Sequence, residues 1–346
     1  MQNYYKILIV FFVCMLLTKE SSASDNFTKQ IDSLIKTNSI RPFNGIILIT
    51  QNENPVYSKM VGYANFDKQT LFTLDSKFVI GSISKQITAV LVLQELDKLH
   101  LDLNEPISIY LPKLEQSWKD SITIKQLLNH TSGVVREDLP LAFSPGSQFL
   151  YSGYGYELLS KIIEKTSGKS YAKLCNDLFK KCKMTNSSYP TKSVKKTIVT
   201  GYAKSTDSTL HTERETFKNN FAAAGLLIST PNDLIKWNDF LHHGKLFSDS
   251  IYQLMMTETS LRKHPIWGNV GYGYGIQITH DDSIIEFGHS GYVPGFASMN
   301  FYYPTTKTSL IILENIDWKD YDFKQTFFFE ELIRNIVRQS DLMKKN

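Results

Sequence analysis

The amino-acid sequence predicts a mixed fold, α+β or α/β. One antiparallel sheet is built from the N- and C-terminal segments and flanked by helices, with a mostly helical domain inserted between them. Three observations predict it. Strand patterns gather at the two ends, as "NGIILITQNENPVYSKMVGYAN" near the start and "GYGYGIQIT", "SIIEFGHSG", "FASMNFYY" and "TSLIILEN" near the finish. Helical periodicity broken by polar loops fills the chain from about residue 100 to 264. A segment apolar on nearly every side, Ile87 to Leu96, follows the first strands, as a helix buried all round would. Strands at both ends with helices between are the pattern of one sheet closed by both termini.

In chain order, "MQNYYKILIVFFVCMLLTKESSASDN" comes first. Lys6 gives a positive start, Ile7 to Leu17 is an apolar run too short to span a bilayer comfortably, and Ser21-Ser22-Ala23 supplies small residues. Residues 1–23 therefore read as a cleavable export signal, with an uncleaved membrane anchor as the alternative. "SDNFTKQIDSLIK" places Phe27, Ile31, Leu34 and Ile35 on one helical face. "QNENP" is the turn of the first strand pair. Residues 24–85 plus 265–346 form the expected sheet domain and 86–264 the helical insertion, together one catalytic unit. Within the insertion, "SPGSQFLYSGYGYELLSKIIEKTSGKS" runs from a Pro-Gly turn into an amphipathic helix ended by Gly168, and Thr230-Pro231 opens another. Residues 191–220 are polar and read as surface excursions with at most short strands. "FKQTFFFEELIRNIVRQ" closes the chain as a final helix.

The 346 residues, 42% hydrophobic and 21% charged, are ordinary globular composition and need no disulfide or metal to hold a core. The net charge is +4, and loss of residues 1–23 would leave 36 basic and 33 acidic side chains. So small and scattered an excess argues against a nucleic-acid partner. Cys175 and Cys182 lie seven apart along a predicted helix, roughly 10 Å, too far for a disulfide. No HExxH or CxxC occurs and His242-His243 lacks partner spacing, so no metal and no cofactor is expected.

Two serines and a lysine, Ser82, Ser84 and Lys85, stand at the mouth of the all-apolar helix. Ser82 and Lys85 are three apart and share a helical face, whereas Ser84 points about 100° away. A serine hydroxyl is a weak nucleophile until a base takes its proton. A lysine becomes such a base when burial disfavours its ammonium form. The Ser-x-x-Lys spacing recurs at Ser33, Ser170, Ser193 and Ser260, but only Ser82 opens a buried helix. A G-x-S-x-G elbow is missing, since from Gly81 the serine position holds Ile83 and the last position Lys85, and from Gly288 the last position holds Tyr292, which argues against an α/β-hydrolase-type esterase.

Five blocks in order, "FVIGSISKQITAVLVLQ", "ITIKQLLNHTSGV", "SPGSQFLYSGYGYELLSKIIEKTSG", "AAGLLISTPNDLIKW" and "GHSGYVPGF", resemble the serine β-lactamase-like family of class C β-lactamases, D-Ala-D-Ala carboxypeptidases, D-amino-acid peptidases and related esterases. The resemblance covers essentially the whole chain beyond the leader and implies a β-lactamase/transpeptidase-like fold. It implies Ser82 as nucleophile with Lys85 as base or proton shuttle. Tyr151, opening Tyr151-Ser152-Gly153, would aid proton transfer, and the third motif falls on His289-Ser290-Gly291. The oxyanion hole would be the backbone N–H groups of Ser82 and Tyr292. Taken alone, Tyr151 reads as a half-buried packing aromatic, His289 as a structural histidine, and "HTSG" (His130 to Gly133) as a shaping loop. Tyr154, Tyr156, Tyr272, Tyr274 and Tyr292 read as mostly packing, with a cleft-lining role open to them. Gly153 stands where relatives carry an asparagine that binds the acyl side chain, and His289 where many carry a lysine. Both departures weaken the case for an efficient β-lactamase.

The resemblance implies an exported, periplasmic or secreted serine hydrolase acting through an acyl-enzyme on D-amino-acid peptides or small esters. Alternatives are a β-lactamase of weak activity, or a penicillin-binding, peptidoglycan-sensing module without turnover. The expected partner is a small-molecule or peptidoglycan-derived peptide substrate, with a membrane involved only if the leader is retained and the oligomeric state left open.

Overall fold

The structure, a computed structural model, describes residues 21–37, 41–205, 209–213, 216–217, 221–281, 284–319 and 322–344. The leader read in residues 1–23 lies, up to residue 20, outside the described residues. Helix α1 (Ser21–Leu34) starts across the cleavage point that the sequence suggests.

An eight-stranded antiparallel sheet organises the molecule. Its strands are β1 (Gly45–Gln51), β2 (Asn54–Val61), β3 (Ser260–His264), β4 (Gly268–Tyr272), β5 (Gln277–Asp281), β6 (Ile284–Val293), β7 (Phe296–Tyr303) and β8 (Thr308–Glu314). They lie in the order β2-β1-β8-β7-β6-β5-β4-β3. β1 pairs with β8 from Gly45↔Glu314 to Gln51↔Thr308, so the sheet joins the two ends of the chain as expected. The β1–β2 hairpin turns at Asn52-Glu53, both with positive φ, the conformation a two-residue turn needs to match strand twist.

Both faces of the sheet are covered, which is why "IILIT" and "TSLIILE" are apolar without alternation. Ile47 and Ile49 face α1 and helix α6 (Phe328–Arg338), packing with Phe27, Ile31, Phe329 and Ile333. Ile46 and Leu48 face the other way, into the larger core. There they join helix α2 (Ser84–Asp97), helix α3 (Gly153–Ser167), helix α4 (Tyr171–Lys181) and helix α5 (Pro231–His242). α2 is buried from Ser84 through Leu93, so the expectation of an all-round buried helix holds. Cys175 in α4 and Cys182 at its end are free and buried.

Several expectations need correction. Ser260–His264, expected within the helical insertion, is the outer strand of the sheet, paired with β4. Its sequence, Ser-Leu-Arg-Lys-His, lacks apolar alternation because an edge strand carries charge where it meets solvent. The 85/86 boundary also cuts through α2. "GYGYGIQIT" is two strands, not one, because Gly273 N–H bonds back to the Ile276 carbonyl at 3.0 Å and Gly275 turns the chain at φ +71°. The final helix breaks at Phe327 into Phe323–Thr326 and α6. The Gln325 and Thr326 carbonyls that would continue it accept instead from the buried Arg41 guanidinium, Gln325 at 3.1 Å from Nε. The polar stretch near residue 200 agrees with its expectation, contributing only short strands, Tyr202–Lys204 and Leu210–Thr212, that pair beside Ile316–Trp318.

Candidate functional site

The site forms where the start of α2 rests on β6. Ser82 lies in a single 3₁₀ turn, Gly81–Ile83, that feeds α2. Gly81 has φ +53°, and a Cβ there would stand 2.5 Å from the Tyr292 nitrogen. A Cβ on Gly291 would stand 2.2 Å from the Ile80 carbonyl oxygen and 3.0 Å from the Ser82 nitrogen. Two bare backbones therefore touch, and the amides of Ser82 and Tyr292 fall at that contact.

Lys85 is buried one turn further on. Its Nζ donates to the Ala224 carbonyl at 2.6 Å and to Ser82 Oγ at 3.3 Å. It also lies 4.7 Å from the centre of the Tyr151 ring. Burial pushes Lys85 below its ordinary value, the Tyr151 hydroxyl opposes this, and the nearby Arg262 charge adds to it. Ser84 is excluded as the geometry of a helix requires, since its Oγ accepts from Leu227 N–H at 3.2 Å. The lysines of the other four Ser-x-x-Lys pairs, Lys36, Lys173, Lys196 and Lys263, are all exposed.

Ala224 belongs to a π-helical segment, Ala222–Leu226, which is anchored twice. Thr88 Oγ1 donates to the Ala223 carbonyl at 2.7 Å, and Glu157 on α3 accepts from Ala223 N–H at 3.0 Å. Burial raises the Glu157 carboxyl to about 7 despite these donors.

Tyr151 immediately precedes Ser152, whose hydroxyl caps α3 by accepting from Gly155 N–H. The "HTSG" loop holds it in place: His130, at φ +62°, accepts from Ser152 N–H at 3.1 Å, and its ring lies 4.4 Å from that of Tyr151. Gly153 is the first residue of α3, and a Cβ there would meet only Ala224 Cβ at 3.6 Å.

His289 on β6 is fully buried. Its Nδ1 donates to the Ser290 carbonyl at 2.5 Å, which leaves Nε2 to accept from Tyr272 OH at 3.0 Å, with Tyr151 OH at 3.5 Å. Burial first, then Arg262 and Lys85, hold His289 well below its ordinary value, so it is a neutral imidazole. Ser290 Oγ lies 3.5 Å from His264 Nε2, and the Tyr292 hydroxyl donates to Asp317 at 2.9 Å.

Ser82, Tyr151, Arg262, Ser290 and Tyr292 open onto one cleft of about 350 Å³, walled on its apolar side by Phe323 and Phe327. The sequence-predicted Ser82, Lys85, Tyr151, His289, Ser290, Gly291 and Tyr292 thus converge. Gly153 sits one layer back, beside the segment that holds Lys85.

The family model described as Beta-lactamase matches residues 38–327. The chain belongs to the β-lactamase family. Among its relatives, a teichoic acid D-alanine hydrolase of Staphylococcus aureus is 28% identical over 263 residues, covering 70% of this chain and 65% of the relative. The chain therefore spans just under two thirds of that relative's length. A penicillin binding protein from Bacillus halodurans superposes with a TM-score of 0.75 at 20% identity, covering 90% of this chain and 99% of that one. A D-amino acid amidase from Ochrobactrum anthropi, solved with D-phenylalanine, superposes at 0.76 and 20% identity, covering 90% and 98%. These last two show the shared fold.

In this β-lactamase-family site, sequence reasoning missed Glu157 and Arg262, and it weighed Tyr272 only as a packing or cleft-lining aromatic and His130 only as loop-shaping. Glu157 does carry a signal, a charge interrupting the buried face of α3. Of the five tyrosines weighed with Tyr151, Tyr292 lines the cleft, while Tyr156, Tyr272 and Tyr274 are buried. Glu53, Asp239 and His243 place ligand atoms within 4.8 Å of one another, a grouping that sequence spacing does not suggest. Asp239 is already engaged by His243 and Lys245. No helix among the described residues is long and apolar enough to cross a membrane.

Proposed function

We propose that the protein is an exported serine hydrolase that forms an acyl-enzyme on Ser82 and acts on D-amino-acyl amides or esters. The observation that carries this reading is the buried Lys85 ammonium site, 3.3 Å from Ser82 Oγ and fixed from behind by the Ala224 carbonyl. In the neutral form that burial favours, Lys85 takes the Ser82 proton as Oγ attacks the substrate carbonyl. The backbone N–H groups of Ser82 and Tyr292 receive the developing oxyanion. As the bond to the leaving amine or alcohol breaks, Tyr151 passes it a proton, replenished from Lys85. Water, deprotonated by the same pair, then releases the acid.

His289 serves as a neutral post. Its Nε2 orients the Tyr272 and Tyr151 hydroxyls and adds no charge, which suits a substrate other than a β-lactam. The names of the S. aureus and O. anthropi relatives support a D-alanyl or other D-amino-acyl group.

The test is a side-by-side assay of a D-alanyl ester, D-phenylalanine amide, a D-Ala-D-Ala peptide and nitrocefin, with wild type and Ser82→Ala. Turnover of the D-amino-acyl substrates by wild type alone, with an acyl adduct at Ser82 seen by intact mass, is the expected result. Undiminished turnover by Ser82→Ala would overturn the reading. Binding without turnover, and without labelling by a fluorophosphonate, would instead favour a sensing module.

A further inference from the structure

Lys85 becomes an ammonium ion in the step that activates Ser82, and it does so almost out of water, at 2% exposure. Its two hydrogen-bond partners, Ser82 Oγ and the Ala224 carbonyl, carry no charge. The other elements bring it the rings of Tyr151 and Tyr156, His130, His289 and Arg262. Burial holds both histidines neutral, and the guanidinium disfavours a second cation. A buried ammonium so placed is costly unless a negative charge offsets it.

Glu157 is a carboxyl that faces this site. It lies four residues beyond Gly153 on one face of α3, and Gly153 brings no side chain to that face. The carboxyl accepts from Ala223 N–H at 3.0 Å, and the Ala223 and Ala224 amides both favour its charged form. From α2, Thr88 Oγ1 donates to the Ala223 carbonyl at 2.7 Å. The π-helical segment is thus fixed between two helices, with amides toward Glu157 and the Ala224 carbonyl toward Lys85. The titratable groups facing Glu157 are Lys85 on α2, Lys161 on its own helix and Tyr171 on α4, and the segment Ala222–Leu226 has none.

We propose that Glu157 is a positioning residue of the reaction: through this segment it keeps the Ala224 carbonyl on Lys85, and its carboxylate offsets the charge that Lys85 gains with the Ser82 proton. This rests on the acyl-enzyme reading. Burial alone would leave Lys85 a weak base, and a base works best when its proton affinity matches the working pH. Burial also raises the Glu157 carboxyl to about 7, so the offset grows as pH rises through neutrality.

The test follows the rate at which a fluorophosphonate labels Ser82, against pH, in wild type, Glu157→Gln and Glu157→Asp. Labelling reads the attack of Ser82 without a chosen substrate. Glu157→Gln keeps an acceptor for Ala223 N–H and removes the charge. Its labelling midpoint should fall by about half a pH unit to one unit, because the ammonium form of Lys85 loses support, and its plateau rate by about three- to tenfold. Glu157→Asp keeps the charge and should hold the midpoint near that of wild type. A carboxyl that only propped the segment would change the rate and leave the midpoint in place. A midpoint unmoved in Glu157→Gln, or moved equally in Glu157→Asp, therefore overturns the proposal. Should Glu157→Gln fail to fold by circular dichroism, Glu157→Asn against Glu157→Asp repeats the comparison at shorter reach, and equal midpoints in that pair overturn it. Labelling of Ser82 with no such shift leaves the acyl-enzyme standing and removes only the role of Glu157. A wild type that never labels at Ser82 overturns the acyl-enzyme reading and this proposal with it.

Discussion

Lys85 concentrates the chemistry at the residue scale. A base must be unprotonated, so kcat/KM should rise with pH through a value below the ordinary lysine 10.5, because burial lowers it. A flat profile from pH 5 to 9 in the wild type would contradict that role. Lys85→Met should lower kcat/KM by roughly 10²–10⁴ without unfolding the protein, checked by burst kinetics and circular dichroism. Ser82, Lys85 and the third motif were legible in the sequence because their partners are local or held in fixed order. Arg262 was not. Its place over the ring of Tyr151, more than a hundred residues away, is a tertiary contact that the strand sequence Ser-Leu-Arg-Lys-His does not reveal.

The contact between the Ser82 turn and β6 rules the element scale. Gly291→Ala would drive a Cβ to 2.2 Å from the Ile80 oxygen, both partners being backbone, so the two elements must part. The expected result is a folded but inactive protein, destabilised by about 1–3 kcal/mol in urea titration. Gly153→Ala should do the opposite. It stands in a helical first turn where an added Cβ meets only Ala224 Cβ, at an ordinary contact distance of 3.6 Å, and there replacing glycine contributes about 0.5–1 kcal/mol. A lowered urea midpoint for Gly153→Ala would refute the assignment of room for a methyl beside Ala224. Helix starts such as Thr230-Pro231 and the central strands were readable, since caps and apolar runs are local signals. The edge strand β3 and the break at Phe327 were hidden, the first by its solvent face and the second because its cause, Arg41, lies at the other end of the chain.

At the scale of the whole molecule, buried charges tie the termini together. Arg41 is held by Glu314 on β8 and Glu330 on α6, all three side chains shut off from water. Arg41→Ala should cost about 3–5 kcal/mol, because the buried Glu314 carboxylate loses its counter-charge while burial and Glu314 already push the Glu330 carboxyl well up. Acid should weaken the fold in a defined window. Burial, with Arg262 and Arg334 close by, lowers His264 from 6.5 to about 3. Between those values the unfolded chain binds a proton that the native one does not. The stabilisation is complete above about pH 6.5 and is lost as pH falls toward about 3, at up to about 1.4 kcal/mol per pH unit. Equilibrium denaturation of wild type against His264→Gln from pH 3 to 8 should show the two curves converge as the pH drops. A parallel pair of curves would remove His264 from the account.

Gly81 and Gly291, whose backbones touch, are more than two hundred residues apart in the chain. Synthesis delivers Ser82 and Lys85 early and β6 late. Until that strand arrives, Ser82 has neither the Tyr292 amide nor the full burial that lowers the proton affinity of Lys85. A growing polypeptide carries its nucleophile in a disarmed state, and the last strands to emerge act as the arming step. A chain ended before Ile284 should accordingly leave a fluorophosphonate probe untouched, although every residue of the first two motifs is present.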